Sequence, residues 1–176
     1  ILMRKYTIIL LITAFLFGCQ TTNNSFNNKE IINKKVDSLI NIMTLDEKIG
    51  QMNQYNGFWD VTGPSPKNGD AKIKYNNLKK GLVGSMLNVR GVSDITALQK
   101  IVVEETRLGI PLIIGNDVIH GYKTLSPIPL AEAASWDMEE IENSARVAAL
   151  EASAAGTNWT FAPMVDISRD ARWGRV

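Results

Sequence analysis

Two clusters of polar and charged residues follow apolar runs in this chain, and each has the composition of a site rather than of a core. The first is Gly115-Asn-Asp-Val-Ile-His-Gly-Tyr122. Asp117 stands two residues past an apolar run, where a carboxylate can accept paired hydrogen bonds from vicinal hydroxyls of a sugar. An Asx turn or a cap uses the same residue at the same place, and position alone does not separate these readings. His120 is the sole histidine. A lone histidine is more often a core or loop hydrogen-bonder than a general base. No third ligand lies near enough in sequence for it to hold a metal with Asp117.

The second cluster occupies Ala162-Pro-Met-Val-Asp-Ile-Ser-Arg-Asp-Ala-Arg-Trp-Gly-Arg-Val176 and contains Asp166, Arg169, Asp170, Arg172 and Arg175. Guanidinium and carboxylate groups crowded just past a buried strand are costly to desolvate and are held by mutual pairing. The apolar run before them, and Trp173 among them, lead to the expectation of a semi-buried network, against the alternative of paired surface charges. Trp173 could stack on a sugar face or simply pack.

The elements that must position these clusters can be read from periodicity. Residues 30–43 carry a helical stripe of Ile31, Ile32, Val36, Leu39, Ile40 and Met43,. Thr44 with Glu47 three residues later makes a capping box, opening a second helix through about Gln54. Gly63, Pro64, Pro66 and Gly69 mark a loop. Residues 81–89, 110–115 and 157–163 read as short buried strands. Between them, 93–107 and 137–154 read as helices, the latter capped by Asp137 or Ser135. Leu112 and Ile114, with Trp159 or Phe161, are expected on the inward face of the sheet.

Strand, helix, strand, helix, strand implies right-handed crossovers and a parallel sheet. Both the doubly wound sheet and the (β/α)8 barrel begin this way. No GxGxxG or GxxxxGK[ST] stands at a strand end, which weakens a nucleotide site. A complete barrel takes roughly 250 residues, so three strands here read as an incomplete (β/α)8 TIM-like barrel, first strands and helices only.

Composition agrees with a globular α/β chain: 176 residues, 45% apolar and 21% charged, enough for one domain with a core. A net charge of +1 with scattered basic residues gives no ground for a nucleic-acid partner,. The single cysteine excludes an internal disulfide, and no Cys/His spacing indicates zinc,. At the N-terminus, Arg4 and Lys5 precede an apolar run ending in Leu16-Phe17-Gly18-Cys19. Residues 1–18 are read as a signal peptide, too short for a comfortable membrane span. The box around Cys19 resembles a bacterial lipoprotein cleavage site. That resemblance implies lipidation of Cys19, a membrane partner through the lipid anchor, and a periplasmic or outer-membrane location. A plain signal peptide with an incidental cysteine is the alternative. Residues 19–29 are then a polar tether, and 30–176 the folded part.

Four segments together resemble family 3 glycoside hydrolases in order and spacing: Met43-Thr-Leu-Asp-Glu-Lys-Ile-Gly-Gln51, Asn116-Asp-Val-Ile-His-Gly121, Pro127-Ile-Pro-Leu-Ala-Glu-Ala-Ala-Ser-Trp136, and residues 161–175. The resemblance covers nearly all of 36–176 and implies the N-terminal part of a barrel domain. It implies hydrolysis of terminal β-D-glucosyl or xylosyl residues from a β-linked oligosaccharide or glycoside, by a retaining mechanism without a cofactor. Asp117 and Arg175 are then substrate-binding, and Asp166, Arg169, Asp170, Arg172, Trp173 and His120 supporting. Ala171 departs from the proline many relatives carry there. The family's nucleophile and acid/base carboxylates, which must sit roughly 5 Å apart for retention, are implied to lie beyond Val176, so no residue of this chain is expected to be catalytic. Two alternatives stand beside this: a non-catalytic sugar-binding surface lipoprotein, or a structural anchor without ligand. Within the family, β-N-acetylhexosaminidases form a further branch, but Ser168-Arg-Asp-Ala-Arg-Trp-Gly-Arg175 resembles the glucosidase and xylosidase branch.

Overall fold

A computed structural model describes residues 23–57, 63–165, 167, 169, 170 and 172. The chain divides into two units, Ile1–Thr44 and Leu45–Val176. The described part of the first is one helix, α1 (Asn23–Ile42). It begins seven residues before the periodic stripe, so the polar stretch expected as a tether is already helical from Asn23 onward.

The second unit is built on a parallel sheet. Its elements run α2 (Leu45–Gln51), β1 (Gln54–Asn56), α3 (Gly69–Lys79), β2 (Ser85–Leu87), α4 (Val92–Glu105), β3 (Ile113–Asn116), α5 (Pro129–Ser135), α6 (Met138–Ala154) and β4 (Trp159–Thr160). The strands lie in the order β1-β2-β3-β4, every neighbouring pair parallel. A doubly wound sheet reverses its strand order, whereas a barrel adds each strand beside the last. The fold is therefore an α/β barrel-type arc, as the incomplete (β/α)8 reading expected, but with four strands rather than three among the described residues.

Three elements, β1, α3 and α5, escape the sequence patterns, and the first two show why. β1 is Gln-Tyr-Asn, which lacks both β-branched residues and alternation, and the second helix stops at Gln51 to make room for it. It is a strand because β2 offers it an edge, with Gln54 opposite Ser85 and Asn56 opposite Leu87. α3 buries only Leu78, so its apolar stripe is too thin to register as a period,.

One face of the sheet carries the core. Met86 and Ile114 sit opposite each other and pack with Leu78, Val83, Val89, Ile95, Leu98, Val102 and Leu112. Leu112 and Ile114 thus lie in the core shared with α3 and α4, which corrects their expected inward placement. The opposite face is formed by Leu87, Ile113, Gly115 and Trp159, the residues paired in the alternate register. Ile113 is 49% exposed there. Phe161 lies over Gly115, where a Cβ would approach the Phe161 ring at 3.3 Å. Trp159 and Phe161 pair as tilted rings with centroids 4.7 Å apart.

Side chains lock the backbone where the ladder ends. Gln99 of α4 donates to the Leu112 carbonyl at 2.8 Å and accepts from its amide at 2.9 Å. The Asn158 side chain accepts from the Ile114 amide at 2.8 Å, joining β3 to the approach of β4. Glu47, only 7% exposed, accepts two hydrogen bonds from Arg107, at 3.0 and 2.6 Å. At Gly84 the backbone meets the end of α2 so closely that a Cβ would lie 2.0 Å from the Gln51 carbonyl oxygen.

Candidate functional site

The C-terminal ends of parallel strands are where α/β proteins gather ligand-binding groups, and Asp117 lies there, one residue past β3. The residue before it, Asn116, is buried and faces the other way. Its amide donates to the Val89 carbonyl at 3.2 Å and to the Thr157 hydroxyl at 3.0 Å, tying the ends of β2, β3 and β4 together. Asp117 itself is exposed. The Thr160 hydroxyl of β4 donates to its main-chain carbonyl at 3.2 Å. Among the described residues its carboxylate has no hydrogen bond or ion pair of its own, which leaves both oxygens able to accept from a ligand.

The chain then turns back on itself. Val118 has φ 43°, a region that β-branched residues rarely occupy,. Gly121 has φ 103°, and a Cβ there would lie 1.9 Å from the Thr124 carbonyl oxygen, so the turn admits only glycine,. The Ser126 amide donates to the His120 carbonyl at 2.9 Å and closes the loop. The His120 side chain is exposed, and among the described residues no three His, Cys, Asp or Glu side chains group as metal ligands.

Glu151 holds the tip of this loop. From α6 it accepts from the amides of Lys123 and Thr124 at 2.7 and 2.8 Å and from the Thr124 hydroxyl at 2.6 Å. The Thr124 hydroxyl bond, then the Thr124 and Lys123 amides, draw its carboxyl below the ordinary glutamate value. All three bonds favour the charged form, so this anchoring is present above about pH 4.5 and weakens as pH falls through the lowered folded value,. Protection of the Lys123 and Thr124 amides against exchange, taken relative to their intrinsic rates at each pH, is expected to fall selectively in acid compared with the core amide of Ile114. An equal loss of protection at all three would show that the loop opens only with the whole fold.

Sequence reading missed Glu151, Thr124, Asn116 and Thr160 as parts of this assembly. Only Asn116 carried a local signal, a polar residue ending a buried strand. The other contacts span 27, 28 and 43 residues and leave no local pattern.

The arginine-rich segment follows β4. Arg169, Asp170 and Arg172 are exposed. The Arg172 guanidinium donates through Nε and Nη2 to the Asp170 carboxylate, and the Arg172 amide adds a bond at 3.0 Å. That pairing draws the Asp170 carboxyl below its usual range, the guanidinium bond being the larger cause. Pairing is as expected, but at the surface rather than semi-buried. Among the described residues nothing bonds this pair to Asp117. Asp166, Trp173, Arg175 and Cys19 lie outside the described residues.

Known proteins share both sequence and architecture with this chain. The family profile described as "Glycosyl hydrolase family 3 N terminal domain" matches residues 44–176. A "Periplasmic beta-glucosidase" of Salmonella typhimurium is 41% identical over 141 residues, covering 80% of this chain and 17% of that protein. A "Putative beta-xylosidase" of Formosa agariphila is 26% identical, over 97% of this chain and 25% of its own length. The crystal structure of a beta-glucosidase from Listeria innocua in complex with glucose superposes with a TM-score of 0.66 at 41% identity, covering 81% of this chain and 20% of that one. The chain thus spans a quarter or less of the length of these relatives.

Proposed function

Since the chain belongs to glycoside hydrolase family 3, we propose that it forms the substrate-holding N-terminal part of an exported enzyme. That enzyme removes terminal β-D-glucosyl or β-D-xylosyl residues from oligosaccharides or glycosides with retention. The observation that carries this reading is the Asp117 carboxylate, exposed at the C-terminal end of β3 on a loop fixed from both sides. A carboxylate so placed accepts charge-assisted hydrogen bonds from sugar hydroxyls. Arg175 is assigned a donor role toward the same sugar, with Asp166, Arg169, Asp170, Arg172, Trp173 and His120 supporting the surroundings. The two carboxyl groups that retention needs are assigned to the part of the enzyme beyond Val176. Relatives named as glucosidases and xylosidases favour those sugars over N-acetylhexosamines. The test is hydrolysis of p-nitrophenyl β-glucoside, β-xyloside and N-acetyl-β-glucosaminide by the product of the complete gene. Turnover confined to the third substrate, or none at all, would overturn the assignment.

The export half of the proposal is supported by the periplasmic relative and by the basic, then apolar, run before Cys19. Lipidation of Cys19 would supply the several acyl chains that stable anchoring takes, with residues 1–18 removed and the folded part held at the membrane. Fractionation of cells expressing wild type and Cys19→Ser is expected to leave the first with membranes and release the second. Equal partitioning of the two would reduce the cysteine to coincidence.

A further inference from the structure

We infer that Glu151 is a positioning residue for the sugar-binding carboxylate: it clamps the tip of the Asp117 loop so that Asp117 meets the substrate already oriented. The inference rests on the reading of Asp117 as a binder and adds a residue on a different element. Three hydrogen bonds of 2.6 to 2.8 Å run from one carboxylate to two consecutive residues of the tip. Between that tip and Asp117 the path is short and stiff. It passes through the left-handed Val118, the glycine-only turn at Gly121 and the closing bond from the Ser126 amide to the His120 carbonyl. A displacement at Thr124 is therefore transmitted rather than absorbed. The base of the loop is fixed by the Thr160 hydroxyl on the Asp117 carbonyl, so α6 and β4 hold both ends.

The location of Glu151 supports the same conclusion. It stands in the last turn of α6, where the helix dipole is negative and a carboxylate is unfavourable, and no basic residue accompanies it in that turn,. Its own main-chain carbonyl is engaged by the Ala155 amide at 3.1 Å, as helix termination requires. A helix by itself would favour lysine or arginine at this point. The loop contacts are what a glutamate gains there.

A double-mutant cycle in the complete enzyme separates positioning from general stability, using E151Q, D117A and the pair, with p-nitrophenyl β-glucoside as substrate. Gln has one acceptor oxygen where two are used, and its amide group opposes the loop donors. E151Q is expected to lower kcat/KM about 10- to 100-fold, the scale of an ångström-sized misplacement. In the D117A background the same change should cost less than about 3-fold, because it acts through the group already removed. An equal loss in both backgrounds, or E151Q at wild-type kcat/KM, would overturn the inference. D117A with normal kcat/KM would instead overturn the binding reading of Asp117, and the inference with it. Should E151Q not fold, Thr124→Val removes the hydroxyl bond alone. Its expected loss is several-fold, again absent with D117A; a loss of the same size in both backgrounds would count against the clamp.

Discussion

Asp117→Ala is expected to lower kcat/KM of the complete enzyme by roughly two to three orders of magnitude, the scale seen when one charge-stabilising contact to a transition state is removed. On the proposed reading of Asp117 as a binder of the terminal sugar, the loss should appear with every β-glycoside tested, whatever its leaving group. Hydrogen bonds from sugar hydroxyls to a carboxylate are charge-assisted, and bonds of this kind strengthen as the ring acquires oxocarbenium character. The effect should therefore reach kcat, and not KM alone. The truncation is also clean. Asp117 is exposed, its carbonyl bond from Thr160 survives any side-chain change, and Asn116 beside it carries the structural contacts. Steady-state kinetics with glucoside and xyloside substrates check it. A kcat/KM within a factor of three of wild type on both would remove Asp117 from the site.

Leu98→Ala should destabilise the barrel segment by about 2–5 kcal/mol. Leu98 is 0% exposed and lies among Val83, Met86, Ile95, Val102, Leu112 and Ile114, where α4 seals the core face of the sheet. The surrounding strands are pinned by Gln99 and Asn158, so the cavity cannot readily collapse, and the cost should fall in the upper part of that span. Chemical denaturation of the complete enzyme, followed by exchange of the Ile114 and Met86 amides, reads the loss locally. Val92→Ala, an exposed position on the same helix, serves as the control and should change the midpoint little. Equal effects of the two substitutions would show that α4 does not seal the core as described.

The sequence by itself determined those features whose cause is local. The stripe Ile95, Leu98, Val102 makes α4 because a helix brings those positions to one face, and all three are buried. Asp137 caps α6 because its carboxylate can accept from the amide three residues on, as it does from Glu140 at 3.1 Å,. The runs that became β2 and β3 are apolar because α3 and α4 pack on one face of each, and Asp117 could be placed beyond β3 by counting from the end of its run. Tertiary structure decided what depends on distant partners. Gln54-Tyr-Asn56 is a strand only beside Ser85-Met-Leu87. Leu112 and Ile114 share a core face because α3 and α4 lie over it, a choice that a continuous apolar run leaves open,. Glu151 looks like one more solvated glutamate until chain reversal brings Lys123 and Thr124 within 2.8 Å of it. Periodicity records which residues avoid water along one element; it holds no information about hydrogen bonds whose two ends meet only after the sheet has assembled.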